Sequence, residues 1–257
     1  MRNPEKRLGG AKWLALAACA LAWTGCSRNL MTPPSRIGEF ETPKSLARGE
    51  KSVTLSAGGN AGIFYTVVAG ASLQARKGLG DGQEVGFDAS VLKAGIGDGA
   101  RIVDEASPYI YSINSRFKIN PPGAERWFSA FGGLGFGYSE PATFMTTEAG
   151  FSLGWENAYL IPYAGGKGTA DIPIKSKSMD LRSPGDVNEE PYVPHRAPLT
   201  LGAMGFAGLK LPFPFTASPA SGRPALIIET QYSQFWTREF TPGFIGGRAA
   251  LQFPVRL

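Results

Sequence analysis

The residue types that most often carry out catalysis are scarce in this chain of 257 residues. His195 is its one histidine, and the surrounding Pro-rich stretch, PYVPHRAP, contains no serine that it could activate. Glu189 and Glu190 precede it in SPGDVNEEP and have the chemistry of a general acid–base pair. In so polar a stretch they indicate a solvated loop instead. The sequence therefore predicts no catalytic residue.

Neither a metal ion nor an organic cofactor is predicted. Cys19 and Cys26 are the two cysteines of the chain, so nothing downstream of them can form a disulfide or a cysteine-based metal site. The glycines of GLGDG, residues 78–82, are not followed by the helical pattern that a phosphate-binding loop requires. The charged residues of the chain are scattered, and its net charge is +5. A nucleic-acid surface would need clustered positive charge, so this scatter argues against one.

The N-terminus has the organisation of an export signal. A basic stretch precedes an apolar run from Trp13 to Trp23, which is shorter than the roughly 20 residues needed to span a bilayer and is typical of a signal peptide. The run ends in WTGC, in which Thr24, Gly25 and Cys26 resemble the lipobox of bacterial lipoproteins. Trp23 stands where that family usually has leucine. The resemblance implies that Cys26 is the lipid attachment site and that the protein is exported to the outer membrane.

Three segments follow from this organisation. Residues 1–25 are predicted to be a lipoprotein-type signal peptide. Residues 26–50 are predicted to be the lipidated cysteine and a flexible tether, because the segment is polar, contains several prolines and has no sustained periodicity. Residues 51–257 are predicted to form one β domain.

Most of this last region alternates apolar and polar residues, which is the period of a β-strand. In TFMTTEAGFSLGWENAYLIPY, residues 143–163, Met145, Phe151 and Leu153 share one face and Glu148 and Ser152 the other. About ten such strands (8–12), parted by Gly, Pro, Asn and Asp, are predicted between residues 51 and 257.

Composition distinguishes a soluble sandwich or barrel from a membrane barrel. Charged residues make up only 18% of the chain, and the polar strand faces consist mainly of Gly, Ser and Thr with isolated charges. Such faces suit the narrow interior of a small barrel whose apolar faces contact lipid. The sequence therefore favours an all-β fold, an antiparallel up-and-down transmembrane β-barrel.

This fold assigns positions to two sets of side chains. Charged residues of the polar faces are predicted to lie in the lumen: Glu84, Asp88, Arg116, Glu148, Glu229, Arg248 and Arg256. Large aromatic residues near strand ends are predicted to form the aromatic girdle at the membrane surface: Trp155, Tyr159, Tyr232 and Trp236. We expect a short turn at 156–158 to place Tyr159 across from Trp155.

In pattern, residues 51–257 resemble small bacterial outer-membrane β-barrel proteins. The last strand, residues 244–257, is similar to the C-terminal signal that the barrel assembly machinery recognises, although it ends in Leu257 and not in an aromatic residue. The resemblance implies contact with outer-membrane lipid and with that machinery. The two longest predicted outer loops, residues 95–108 and 175–198, are candidates for binding other envelope proteins.

Three functions remain open at this point. The first, which the sequence favours, is a non-enzymatic outer-membrane lipoprotein of the Gram-negative envelope: a structural, assembly or envelope-complex subunit, or a narrow, porin-like pore. The second is a periplasm-facing soluble β-domain lipoprotein that binds a ligand or an envelope partner. The third is a lipid-modifying barrel enzyme that uses His195.

Overall fold

The computed structural model describes residues 39–62, 66–98, 101–102, 109–139, 142–157, 159–176, 199–213, 223–237 and 243–255. These residues form eleven antiparallel strands. They are β1 (Lys51–Gly62), β2 (Thr66–Gly80), β3 (Gln83–Asp98), β4 (Arg101–Ile102), β5 (Tyr109–Ile119), β6 (Phe128–Ser139), β7 (Ala142–Gly154), β8 (Ile161–Ser176), β9 (Thr200–Pro212), β10 (Ala225–Trp236) and β11 (Gly243–Val255). None of the described residues forms a helix long and apolar enough to cross a membrane.

Ten of these strands close into a barrel. Each long strand pairs with its neighbours in chain order, and β1 closes the sheet by pairing with β11 from Lys51↔Val255 to Gly62↔Phe244. The two-residue strand β4 pairs only with the end of β3. The predicted all-β fold and the predicted strand number of about ten are therefore confirmed.

We call the end of the barrel at which β1 begins the proximal rim, and the opposite end the distal rim. At the proximal rim, β2 and β3 are joined by a tight turn at Asp81 and Gly82, both of which have positive φ. Glycine adopts this backbone conformation without the steric penalty that a Cβ brings. β2 therefore extends to Gly80 and β3 begins at Gln83.

The alternation of the sequence becomes an inside and an outside. On β5 every second residue from Ile110 to Lys118 is buried, and the residues between them are exposed. In a closed barrel the buried set faces the lumen. Large apolar side chains are exposed on the outer face of every long strand, including Leu55, Phe87, Leu134 and Leu251.

The outer face carries few charges. Among the side chains that the structure describes on the strands, those charged and outward-facing are Lys51, Lys77, Lys93 and Lys175. Lys51 starts β1 and is paired in register with Lys77, near the proximal rim. Lys175 is the penultimate residue of β8 at the distal rim, and Lys93 lies over the ring of Tyr109 at the start of β5. The middle of the outer wall is therefore uncharged over the described strands.

Candidate functional site

The lumen near the proximal rim is filled by the chain itself. Residues 39–46, which we call the plug segment, bind the inner wall: Glu39, Phe40 and Glu41 are all at most 2% exposed, whereas Lys44 is exposed at the rim. The sequence predicted a flexible tether up to residue 50. This prediction is corrected from residue 39 onward, because the segment has partners on the barrel wall that lie far away in the sequence. Residues 26–38 of the predicted tether lie outside the described residues.

Arg116 of β5 binds both carboxylates of the plug segment. Its Nη1 donates to Glu41 Oε1 at 2.7 Å and its Nη2 to Glu39 Oε2 at 2.6 Å. Its Nε donates to Glu148 Oε1 on β7 at 2.9 Å. The guanidinium is therefore shared among three buried carboxylates, and the fork of donors that arginine offers suits such a site.

Three further cations of the wall complete the network. Arg76 Nη2 lies 2.9 Å from Glu41 Oε1, and Lys118 Nζ lies 3.4 Å from Glu41 Oε2. Lys167 Nζ contacts Glu39 and also lies 2.8 Å from Glu148 Oε2. Because a buried charge is costly unless it is paired, the two plug carboxylates compensate cations that would otherwise face an empty lumen.

The carboxylate of Glu229 on β10 binds the backbone N–H groups at the start of the plug segment. Its Oε1 accepts from the N–H of Glu39 at 2.7 Å, and its Oε2 accepts from the N–H of Phe40 at 2.8 Å and the hydroxyl of Tyr163 at 3.0 Å. Phe40 has a φ of 49°, a left-handed conformation that is uncommon outside glycine. The wall therefore holds the segment in a defined conformation.

The rest of the segment is bound through its carbonyl and amide groups. Asn120 donates to the carbonyl of Pro43 at 2.7 Å and accepts from the N–H of Ser45 at 2.9 Å. Lys118 Nζ donates to the carbonyls of Thr42 at 3.0 Å and Lys44 at 3.2 Å. These bonds satisfy backbone groups that burial would leave without water.

An apolar cluster surrounds the aromatic side chain of the plug segment. The ring of Phe40 packs in it with five residues of the wall: Phe131, Tyr163, Phe206, Ile227 and Ala250. The guanidinium of Arg116 lies 4.3 Å from the centroid of the Phe131 ring, a cation–π contact. The plug segment therefore joins the charge network to an apolar layer beside it.

A second apolar layer crosses the lumen towards the distal rim. Six buried residues, each from a different long strand, form it: Val68, Leu92, Ile110, Phe144, Phe235 and Phe244. Glycines make room for the rings, since a Cβ built on Gly137 would lie 2.1 Å from Phe144 and one built on Gly202 would lie 2.7 Å from Phe235. Phe144 is a large apolar residue on the otherwise small or polar inner face of β7. The structure places it in this layer, which we call the distal layer.

The predicted lumen charges can now be located. Glu84, Asp88, Arg116, Glu229 and Arg248 are buried on the inner face, and the side chain of Glu148 is 5% exposed. Glu84 Oε1 lies 3.6 Å from Arg76 Nη1. Glu229 on β10 is the register partner of Arg248 on the neighbouring strand β11. Arg256 lies outside the described residues.

The predicted girdle residues are all exposed, at two different ends of the barrel. Trp155 and Tyr159 lie in the connection at the proximal rim, whereas Tyr232 and Trp236 lie towards the distal end of β10. The predicted pairing of Trp155 with Tyr159 is wrong, because the backbone N–H of Trp155 donates to the carbonyl of Pro162 at 3.1 Å. The strand β8 starts at Ile161, so the connection is longer than the predicted turn at 156–158.

Several lumen residues were not among the predicted ones. Lys118, Lys167 and Asp171 were missed, although each occupies a polar position in the alternation of its strand. Glu39 and Glu41 have no such signal, because the plug segment is not a strand.

The described residues contain no group of three His, Cys, Asp or Glu side chains able to hold a metal ion. His195, Glu189, Glu190, Cys19 and Cys26 all lie outside them. The arrangement in the lumen is a network of buried ion pairs beside one apolar cluster, with the distal layer towards the other end, so its chemistry is electrostatic and structural.

Comparison with known proteins gives only structural likenesses. No known protein family and no curated protein matches the chain. Among solved structures, the N-terminal β-barrel domain of Pseudomonas aeruginosa OprF is 13% identical with a TM-score of 0.35, over 80% of this chain and 100% of that one. Ail, the attachment invasion locus protein of Yersinia pestis, is 13% identical with a TM-score of 0.31, over 80% of this chain and 99% of that one.

Proposed function

We propose that this protein is an integral barrel of the bacterial outer membrane that does not conduct and serves as a structural, assembly or envelope-complex subunit. The observation that carries the proposal is the inverted polarity of the barrel. Buried charges line the lumen, while the outer wall is apolar and its described charges are four lysines close to the rims. A soluble barrel has the opposite distribution, because its outer face meets water.

The dimensions of the wall support a membrane crossing. A strand of 13 residues such as β7 is about 40 Å long at ~3.3 Å per residue, and a tilt of about 40° reduces its height to about 30 Å. This matches the hydrocarbon core of a bilayer. Long lysine side chains near the rims can extend their ammonium groups to the headgroups while their methylenes stay in lipid.

Exposed aromatic residues at both ends of the barrel also support a membrane crossing. Trp127, Trp155 and Tyr159 are exposed around the proximal rim. Tyr109, Tyr111, Tyr138, Tyr232 and Trp236 are exposed towards the distal rim. Tyr and Trp prefer the membrane–water interface because their rings are apolar and their N–H or O–H groups are polar.

The contents of the lumen favour a scaffold over a narrow pore. The plug segment fills the proximal half, and the distal layer crosses the other half with side chains at most 5% exposed. The functional contacts are therefore proposed to lie on the outside of the barrel, on the lipid-facing wall and the connections, including residues 95–108 and 175–198. These connections are the proposed contacts with other envelope proteins, and the barrel assembly machinery is the proposed insertion partner.

Lipid attachment at Cys26 is part of the proposal. Thirteen residue steps separate Cys26 from Glu39, and an extended chain of this length reaches about 45 Å. A diacylated Cys26 could therefore lie in the leaflet at the proximal rim while Glu39 stays in the lumen. Anchor and plug would then be parts of one continuous segment.

The proposal is tested on membranes from cells that express the full chain. We expect the protein to stay in the membrane after alkaline carbonate extraction and to migrate faster on a gel when unheated, as closed barrels do in detergent. Release by carbonate would contradict the membrane location. Cys26→Ser should remove a labelled fatty acid from the protein without removing the barrel from the membrane, and persistence of the label would contradict attachment at Cys26.

A further inference from the structure

Two lysines face each other on the outer wall at the proximal rim. Lys51 begins β1, and its register partner on β2 is Lys77. Like charges directly opposite one another in a sheet are destabilising. Neither ammonium group has an acidic partner among the residues that the structure describes. The two ammonium groups can therefore bind an anion that the described residues do not supply.

An apolar groove begins directly below this pair. It has a volume of about 320 Å³, and its lining includes Val53, Ala75, Val85 and Phe87. The pairing of the strands sets three of these residues in a row next to the lysines: Val53 on β1, Ala75 on β2 and Phe87 on β3. Phe253 on β11, the register partner of Val53, extends the row beyond the groove lining. Val53 and Ala75, the two smaller side chains, thus form a floor, with Phe87 on one side of it and Phe253 on the other.

The groove and the lysine pair together have the polarity of an amphipathic ligand. The cations lie at the rim, where headgroups are, and the groove runs from them towards the middle of the wall. A ligand that fits both has an anionic head and a flexible apolar chain. Charge complementarity therefore favours an anionic phospholipid over a zwitterionic one or a free anion.

We propose that the outer face of β1–β3 binds one anionic phospholipid of the leaflet at the proximal rim. Its phosphate lies between Lys51 and Lys77, and one acyl chain lies on Val53 and Ala75 between Phe87 and Phe253. This site depends on the proposed membrane location, and it deepens that proposal by naming the lipid class that the wall selects.

The test is native mass spectrometry of the full chain in detergent micelles that contain phosphatidylglycerol or phosphatidylcholine at equal concentration. We expect retained phosphatidylglycerol to exceed phosphatidylcholine. Each lysine near an anionic headgroup contributes to the free energy of lipid binding. The double variant Lys51→Gln with Lys77→Gln loses both contributions and should lower retention of phosphatidylglycerol about tenfold or more. Lys51→Arg with Lys77→Arg should preserve it, because the two positive charges remain.

Two further variants separate the site from general attraction by positive charge. Arg126→Gln removes an exposed cation in the connection between β5 and β6, away from the groove, and should leave retention unchanged. Ala75→Phe keeps both lysines but fills the groove, and should lower retention. Equal retention by the Gln double variant and the wild type would overturn the proposal, as would an equal loss in Arg126→Gln.

The folded state of each variant is checked by heat-modifiable migration. If the double variant does not fold, Lys51→Gln and Lys77→Gln tested singly give the same comparison. Failure of this site is distinguishable from failure of the proposed membrane location. A barrel that resists carbonate extraction but shows no preference for phosphatidylglycerol contradicts only the lipid site.

Discussion

Arg116 Nη1 donates to Glu41 Oε1 at 2.7 Å, although the two residues are 75 positions apart in the chain. Arg116 belongs to the barrel wall, and Glu41 belongs to the plug segment that precedes the first strand. Both side chains are buried, with exposures of 4% and 1%. The contact therefore joins the plug to the wall at a place where neither charge can be solvated by water.

Replacing Arg116 by methionine should strongly destabilise the barrel. Methionine keeps much of the side-chain length but leaves Glu39, Glu41 and Glu148 without their shared partner. Breaking a buried ion pair from one side typically costs about 3–5 kcal/mol. We expect a loss of this size in the free energy of unfolding, measured by urea titration of the protein in lipid vesicles.

The matched control is Arg126→Met. Arg126 is exposed in the connection between β5 and β6, so the same substitution there should change the free energy of unfolding by less than about 0.5 kcal/mol. Equal effects of the two variants would mean that the lumen network does not stabilise the barrel.

The sequence predicted the barrel wall well and the plug poorly, for one physical reason. A strand in a barrel has one apolar and one polar face, so its position is visible as alternation over a few residues. Glu148 and Arg116 could be assigned to the lumen in this way. Glu39 and Glu41 could not, because their contacts are with distant residues and their segment has no period.

Phe144 and Trp155 show two other limits. Phe144 breaks the alternation of β7 because it fills space above Gly137 on the neighbouring strand, and a single strand does not reveal what lies opposite. The sequence placed Tyr159 opposite Trp155, but the backbone N–H of Trp155 donates a hydrogen bond to the carbonyl of Pro162. The length of the connection before β8 depends on such hydrogen bonds, which the sequence pattern does not show. Local patterns fix faces more reliably than they fix connections.

Gly137→Ala should destabilise the barrel through the distal layer. The added methyl would lie 2.1 Å from Cζ of Phe144, which is fully buried in the distal layer. Overpacking of this kind costs about 1–3 kcal/mol. The loss is measured as a lower urea midpoint in vesicles.

Gly205→Ala is the control for this prediction, because a Cβ built at Gly205 has no atom within 4 Å. We expect its unfolding midpoint to stay at the wild-type value. Adding Phe144→Leu to Gly137→Ala should recover part of the lost stability, since the smaller side chain vacates the space. A destabilisation that Phe144→Leu does not relieve would argue against the steric explanation.

A lysine in the middle of the outer wall should impair insertion far more than one at its edge. Leu134 is 59% exposed within β6, and Leu199 is 52% exposed just before β9 at the distal rim. In water, Leu134→Lys and Leu199→Lys would be equally tolerated. In a bilayer, a lysine costs about 2–4 kcal/mol at the midplane and about 0–1 kcal/mol near the interface.

The measurement is the folded fraction that each variant reaches in vesicles of one lipid composition. We expect Leu134→Lys to fold less completely, and Leu199→Lys to behave as the wild type. Equal folding of both variants would contradict the lipid contact of the outer wall.

The barrel should stay closed to ions until two separate obstructions are removed. The plug segment blocks the proximal half of the lumen, and the distal layer blocks the other half. We therefore expect no single-channel current from the wild type in a planar bilayer. Neither deletion of residues 39–46 nor replacement of Phe144, Phe235 and Phe244 by alanine should open the barrel alone.

Both changes together should produce a current that favours anions. Removal of Glu39 and Glu41 leaves Arg76, Arg116 and Lys118 of the wall without these carboxylates, and an open lumen lined by such cations attracts anions. The reversal potential in a salt gradient measures this preference, with folding of each variant verified by heat-modifiable migration. A current from the deletion alone would show that the distal layer does not seal the lumen, and a preference for cations in the combined variant would contradict the electrostatic role of the plug carboxylates.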